Sequence, residues 1–394
     1  MSYIDLARKH PRYLAYGAVH YFFSSLGQTF LISVSVPFII RDLVLENSSF
    51  SNGYAIATIA SALLLPLAGS WVDRSKFTTV SLAGGLGLVL ACLTMFFVND
   101  MYLLVAGLFL LRFFGQGGMI LIGSTTIAKF FTKNRGKALS LASMGLAGAE
   151  TFMPVLMVSM IAGAGWRVSW LLLGALVILI FLPSTNFLMR KDSGEMELDH
   201  SEAVIQDFTR RQVLKDWRFY LLLPAFVFLP FFITGIFIHQ NLVAAAKGWS
   251  LEWMATCFIG YGIARIGMVL LGGMLIDRFT AKTLFVVYLL PMAGGLLLLN
   301  SGNHPVLGIL YMILLGVTAS LSSLTGVAIW AELYGVKNLG AIKSMVTTLM
   351  VVSTALGPIV IGYGLEQSFT GTLLTFTFVI FVIVIVNWLI LRKG

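Results

Sequence analysis

The chain has 394 residues, of which 58% are hydrophobic and 11% charged, with 30 Phe and 8 Trp. Globular domains carry about 25% charged residues, so most of this chain has lipid as its solvent. That excludes a soluble enzyme, a nucleic-acid-binding domain and a disordered chain, and the net charge of +9 has to be read by position. Cys92 and Cys257 both sit in apolar stretches and give neither a disulfide framework nor a metal-ligand spacing.

A bilayer core about 30 Å thick takes roughly 20 apolar residues per helix. The polar start, MSYIDLARKHPR, lacks the apolar core and cleavage site of a signal peptide, so a retained first span is expected at 15–40. The following spans are read at 52–71, 77–98, 101–127, 137–161 and 167–188, and then at 219–246, 251–274, 283–299, 305–330, 340–363 and 370–391. Between the sixth and seventh, residues 190–218 hold six Lys/Arg and seven Asp/Glu. This is read as a solvated linker whose later part, Gln206 to Trp217, is a candidate amphipathic surface helix. The expected fold is an all-α membrane protein: twelve transmembrane helices in two pseudo-symmetric six-helix bundles. The expected domains are 1–189, a linker at 190–218, and 219–394.

Threading the spans from a cytoplasmic N-terminus places 21 of the 26 Lys and Arg in cytoplasmic segments. Only Arg41, Arg167 and Lys247 fall outside, and Arg112 and Arg265 fall within the membrane. This follows the positive-inside rule and puts both termini in the cytoplasm. The two halves also repeat with an offset of 204 residues: Gly69 with Gly273, Asp73 with Asp277, Arg74 with Arg278, Gly136 with Gly340, and Pro154 with Pro358. Two parallel repeats suggest a rocking transporter with a central site between the halves.

GSWVDRSKF at 69–77, its second copy GGMLIDRF at 272–279, and LLRFFGQGG at 110–118 resemble the loop and fourth-helix motifs of the major facilitator superfamily. The run RGKALSLASMGLAGAETFMP at 135–154 and the lone Arg265 in the eighth span resemble the branch of monocarboxylate transporters and oxalate/formate exchangers. That branch holds a substrate carboxylate with an eighth-helix Arg, which the resemblance assigns to Arg265. The exchangers' Lys midway along the eleventh helix is missing from Ser344 to Val352, which points away from a dicarboxylate. In the family, the acid and base of the duplicated loop, here Asp73 with Arg74 and Asp277 with Arg278, form gating contacts that hold one state and break on rocking.

Ionisable groups in lipid are costly and so are functional candidates. Arg112 lies about 15 Å into its helix and Glu150 about 20 Å into the next, counted at 1.5 Å per residue, so both approach the midplane. They either form a pair that fixes packing, or Glu150 takes up a proton and frees Arg112. His20 and His239 are alternative titrating groups or hydrogen-bonded helix residues. Arg265 is expected to attract an anion, with Tyr261 one turn before it, or to pair with an acid such as Glu332. Tyr21, Gln28, His239 and Gln240 are the preferred cavity-lining residues. There is no Walker loop, haem motif or zinc cluster, hence no cofactor and no enzyme chemistry. The reading is a secondary transporter in the cytoplasmic (inner or plasma) membrane, sufficient as a monomer. It would move a small organic anion, most readily a monocarboxylate, together with protons. The alternative is a carrier of a larger metabolite, drug or siderophore-like carboxylate.

Overall fold

The computed structural model describes residues 3–131, 134–189, 210–334 and 339–392. The described residues are helical nearly throughout, and the chain divides into two compact units, Met1–Ser201 and Glu202–Gly394.

In the first unit a short helix, Tyr3–Lys9, precedes α1 (Pro11–Asp42), with Pro11 at its first position, where the missing N–H costs nothing. α2 (Asn47–Arg74) and α3 (Phe77–Phe97) follow. α4 (Met101–Phe130) is capped by the Asp100 carboxylate, which accepts from the Leu103 N–H at 2.7 Å and satisfies one of the free amides of the first turn. The helix Arg135–Leu176 holds two passes. It breaks at Gly165, whose φ of 80° and ψ of 161° suit a residue without a Cβ. Residues 135–164 form α5 and 166–189 form α6.

In the second unit, α7 (Trp217–Ile238) leads through a short helix, Gln240–Lys247, to α8 (Leu251–Arg278). α9 (Ala281–Ser301), α10 (Val306–Tyr334), α11 (Leu339–Gln367) and α12 (Phe369–Leu391) complete it. Ten described segments are long and apolar enough to cross a bilayer; dividing one at Gly165 and adding α8 gives the twelve spans read from sequence. The 204-residue repeat reappears in the helix boundaries: Arg74 with Arg278, Phe77 with Ala281, and Arg135 with Leu339. The surface helix expected near 206–217 is, within the described residues, the single turn Arg210–Val213.

Apolar side chains gain little from leaving lipid for one another, so close backbone approach has to hold each bundle. α1 crosses α5, and α7 crosses α11, on glycine. A Cβ on Gly145 would overlap the Ala18 carbonyl, and one on Gly357 would overlap the Phe231 carbonyl. Large apolar side chains such as Leu63, Phe97, Phe187 and Phe378 face outward, where acyl chains take the place of a protein neighbour.

One end of each unit is tied by polar bonds. Arg167 pairs with Asp42 at 2.8 Å and donates from Nε and Nη2 to the Val98 carbonyl at 3.2 and 3.0 Å. The Trp166 indole N–H joins the same carboxylate at 2.7 Å. In the second unit Lys247 donates to the Gly302 carbonyl at 2.9 Å, and Trp249 donates to the Asn303 carbonyl at 2.7 Å. Burial lowers the Lys247 pKa below the usual lysine range. Two of the three cations expected on the sparsely charged side are thus committed to structural bonds.

Gly145→Ala should destabilise the detergent-solubilised protein by about 1–3 kcal/mol, the usual cost of overpacking a tight contact. Gly148→Ala, three residues on and facing open space, should leave the melting temperature unchanged or slightly raised, because Ala favours helix over Gly. A thermal melt of the two variants separates these outcomes.

Candidate functional site

The polar chemistry of the first unit gathers where α1 is interrupted. Ser24–Gly27 form a 3₁₀ turn, and Gln28 is extended with ψ of 147°. Opposite it, Leu111–Met119 of α4 winds as a π-helix. Both interruptions take backbone groups out of the regular helical ladder, which a membrane tolerates only where protein supplies other partners. The two irregular backbones touch, and a Cβ on Gly27 would overlap the Leu111 carbonyl and the Gln116 amide.

Arg112, the second residue of the π segment, is 2% exposed. Its Nη1 donates to the Gly27 carbonyl at 3.3 Å and to the Thr29 hydroxyl at 3.4 Å. The guanidinium lies 5.1 Å from the Tyr54 ring centroid, and the Tyr54 and Thr29 hydroxyls are bonded at 2.8 Å. These partners are a carbonyl, a hydroxyl and a ring face; none carries a charge. Among the described residues the Arg112 Nε has no hydrogen-bond partner. The guanidinium turns to α1 through these contacts, and Glu150 is buried on α5 at 4% exposure. A cation held this way keeps unspent attraction for an anion, because carbonyl and ring dipoles offset only part of its lost hydration.

His20 is fully buried and bonded at both ring nitrogens. Nδ1 lies 2.8 Å from the Tyr16 carbonyl, and Nε2 lies 2.9 Å from Ser81 Oγ. A carbonyl only accepts, so Nδ1 carries a proton. In the neutral ring Nε2 then accepts from Ser81, whose hydroxyl is also hydrogen-bonded to that of Tyr16, and the Tyr16 hydroxyl reaches the Phe77 carbonyl at 3.1 Å. Tyr16 and Phe181 pack on the imidazole. This closed ring joins α1 to α3. Tyr21, half-buried one residue along, accepts from the Ser24 hydroxyl through its carbonyl at 2.7 Å.

In the second unit the sequence-selected His239 and Gln240 lie at the end of α7, where the chain breaks before the short helix. His239 donates from Nε2 to the Pro358 carbonyl on α11 at 2.8 Å, in space left by Gly362. Gln240 is 4% exposed. Gln28 and His239 thus both mark discontinuities in the first helix of their unit. Arg265 is half-buried on α8, with its guanidinium 5.9 Å from the ring of Tyr261 one turn earlier. Tyr261 packs edge-on against Phe237. Glu332, the acid considered for Arg265, accepts from the Ala281 N–H at 3.3 Å, at the start of α9. The side chains of Asp73 and Asp277 lie outside the described residues, while Arg74 and Arg278 are exposed at the ends of α2 and α8. Tyr54 escaped the sequence reading, although the GQGG after Arg112 marks where α4 departs from regular helix.

Duplicated bundles with interrupted first helices and buried cations define a polytopic helical carrier. The sequence matches the family model of the Major Facilitator Superfamily over residues 18–272 and 231–394, so the chain belongs to that superfamily and is a transporter by family. No curated protein matches the sequence. Among solved structures, a bacterial homolog of the human lysosomal transporter Spinster, in its inward-facing and unoccupied conformation, is 14% identical with a TM-score of 0.71. That match covers 97% of this chain and 97% of the other. The nucleoside transporter NupG is 12% identical with a TM-score of 0.72, covering 97% of this chain and 98% of the other. At these identities the likeness is one of fold.

Ser81→Ala leaves the buried Nε2 of His20 without its partner, while the Tyr16 hydroxyl keeps the Phe77 carbonyl, and should cost about 1–3 kcal/mol of stability. Denaturation of the purified variant measures it; an unchanged melt would mean that the ring contributes nothing to the fold.

Proposed function

We propose that the protein is a proton-coupled secondary transporter of a small organic anion, a monocarboxylate, working by alternating access as a monomer in the cytoplasmic membrane. The observation that carries this reading is the buried Arg112 guanidinium, whose contacts are all neutral and whose Nε has no partner among the described residues. Arg265 supplies the second intramembrane cation. A carboxylate suits both, since it accepts two parallel N–H bonds from one guanidinium. Tyr21, Gln28, His239, Gln240 and Tyr261 are assigned to the substrate path, and Asp73, Arg74, Asp277 and Arg278 to gating. The placement of 21 basic residues against three supports cytoplasmic termini.

Glu150 is the preferred proton site. It is a buried carboxyl within the apolar span of α5, and ionisable groups at that depth are rare and functional by default. His20 is the second choice, because neutral His20 already has a partner at each nitrogen.

In proteoliposomes an inward-directed proton gradient should drive accumulation of a small labelled monocarboxylate. Glu150→Gln should abolish accumulation while retaining counterflow exchange. Loss of both, or of neither, would remove Glu150 from the coupling role. Arg112→Met should abolish carboxylate uptake at a cost of about 1–3 kcal/mol in stability, because it leaves the Gly27 carbonyl without its donor. A severe loss of stability with uptake retained in the surviving protein would make Arg112 a packing residue.

A further inference from the structure

The second unit contains a cavity of about 190 Å³ between α7, α10 and α11, lined by Phe226, Ser322, Ser323, Trp330, Thr347 and Met350, with Gly326 in its wall. Phe226 and Trp330 form its aromatic side, stacked at 4.5 Å with 22° between planes. Both are nearly buried, at 5% and 1% exposure. A neighbouring cluster fixes them. Phe285 packs on Phe226, while Tyr334 stacks on Trp330 and Phe219 packs against it. The rim is neutral and hydroxylic, from Ser322, Ser323 and Thr347, and no charged side chain is among the described lining residues. Gly326 keeps the wall low: a Cβ there would meet only the edge of Phe226, at 3.5 Å.

Three features select the occupant. Apolar cavities of about 150 Å³ accept a benzene ring, so the volume suits one ring. Aromatic walls favour a planar guest in offset or edge-to-face contact. The hydroxyl rim and absence of charge exclude an ionic group from the cavity itself.

Its position ties it to Arg265. α8 and α10 run in step: Cys257 lies against Gly308, Gly260 against Ile313, and Ala264 against Gly316. Arg265 is therefore level with about residue 317 of α10. Ser322 and Gly326 follow roughly 7–14 Å further along at 1.5 Å per residue. A carboxylate held at Arg265 needs a short spacer to seat a ring in the cavity.

We propose that this cavity is a specificity pocket for the ring of an aromatic monocarboxylate, separated from its carboxylate by a few methylene carbons. The pairing with Arg265 rests on the anion-transport reading; the capacity of the cavity for a ring does not. Two arms keep them distinct. In the binding arm, neutral indole is added to purified protein in detergent and the melting temperature followed. Indole should raise it for the wild type, but not for Gly326→Leu or Thr347→Phe, which fill the cavity from different helices. Unliganded melts show whether each variant is folded, and a folded plugged variant that keeps the indole shift, or a wild type without one, overturns the pocket. In the transport arm, uptake of 4-phenylbutyrate and of propionate is compared in proteoliposomes. The wild type should favour the aromatic acid by about tenfold or more, roughly the 1.4 kcal/mol that a well-placed ring readily supplies. The plugged variants should lose that preference. An unchanged ratio overturns the assignment to substrate. Failure of the wild type to move either acid strikes the anion-transport reading, while the indole result still decides the pocket.

Discussion

The arrangement of the first unit depends on one constraint: a guanidinium kept in a low-dielectric bundle whose contacts among the described residues are a carbonyl, a hydroxyl and a ring. Arg112 cannot be deprotonated at ordinary pH, so its charge has to be accommodated by dipoles. The chain does this by leaving α1 irregular. The 3₁₀ turn at Ser24–Gly27 turns the Gly27 carbonyl to Nη1, and the π segment sets Arg112 opposite it. The Tyr54 ring and Thr29 hydroxyl complete the cradle. Such a cradle holds a cation without neutralising it, a condition suited to a guest that brings negative charge and then leaves. A full ion pair would bind no guest, and a solvated arginine would bind one weakly.

The rest of the fold serves rigidity around these irregular points. Where hydrocarbon surrounds the protein, packing has to come from shape, and glycines at the α1–α5 and α7–α11 crossings bring helix axes close enough for carbonyl contact. The Tyr16–Ser81–His20 ring pins α1 to α3 on one side of the break, and the Asp42–Arg167–Val98 bonds hold its far end. The segment of α1 between these anchors is the one left irregular. In the second unit the Lys247 and Trp249 bonds do comparable work beyond the end of α7.

Much of this was legible in the sequence, because membrane spans are written in long apolar runs and a duplication is written twice. The spans and the offset of 204 carry through to the helix boundaries of α2, α3, α5, α8, α9 and α11. Arg112, Glu150, Gln28 and His239 stood out for one reason: polar groups are rare at depth. The interruptions themselves were not legible. The turn at Ser24–Gly27 follows from contact with α4, which has no local signature in SSLG, and the partner of Arg112 was a backbone carbonyl that no sequence pattern announces. The aromatic pocket was hidden similarly. Phe226 and Trp330 lie on helices rich in aromatic residues, and only packing shows which ring faces which.

The most direct test of the central claim separates charge from shape. Equilibrium binding to the purified protein is measured for a monocarboxylate and for its neutral primary amide, matched in size. If a partly neutralised buried guanidinium receives the guest, the acid binds about tenfold or more tightly than the amide. Equal affinity, or preference for the amide, contradicts the account.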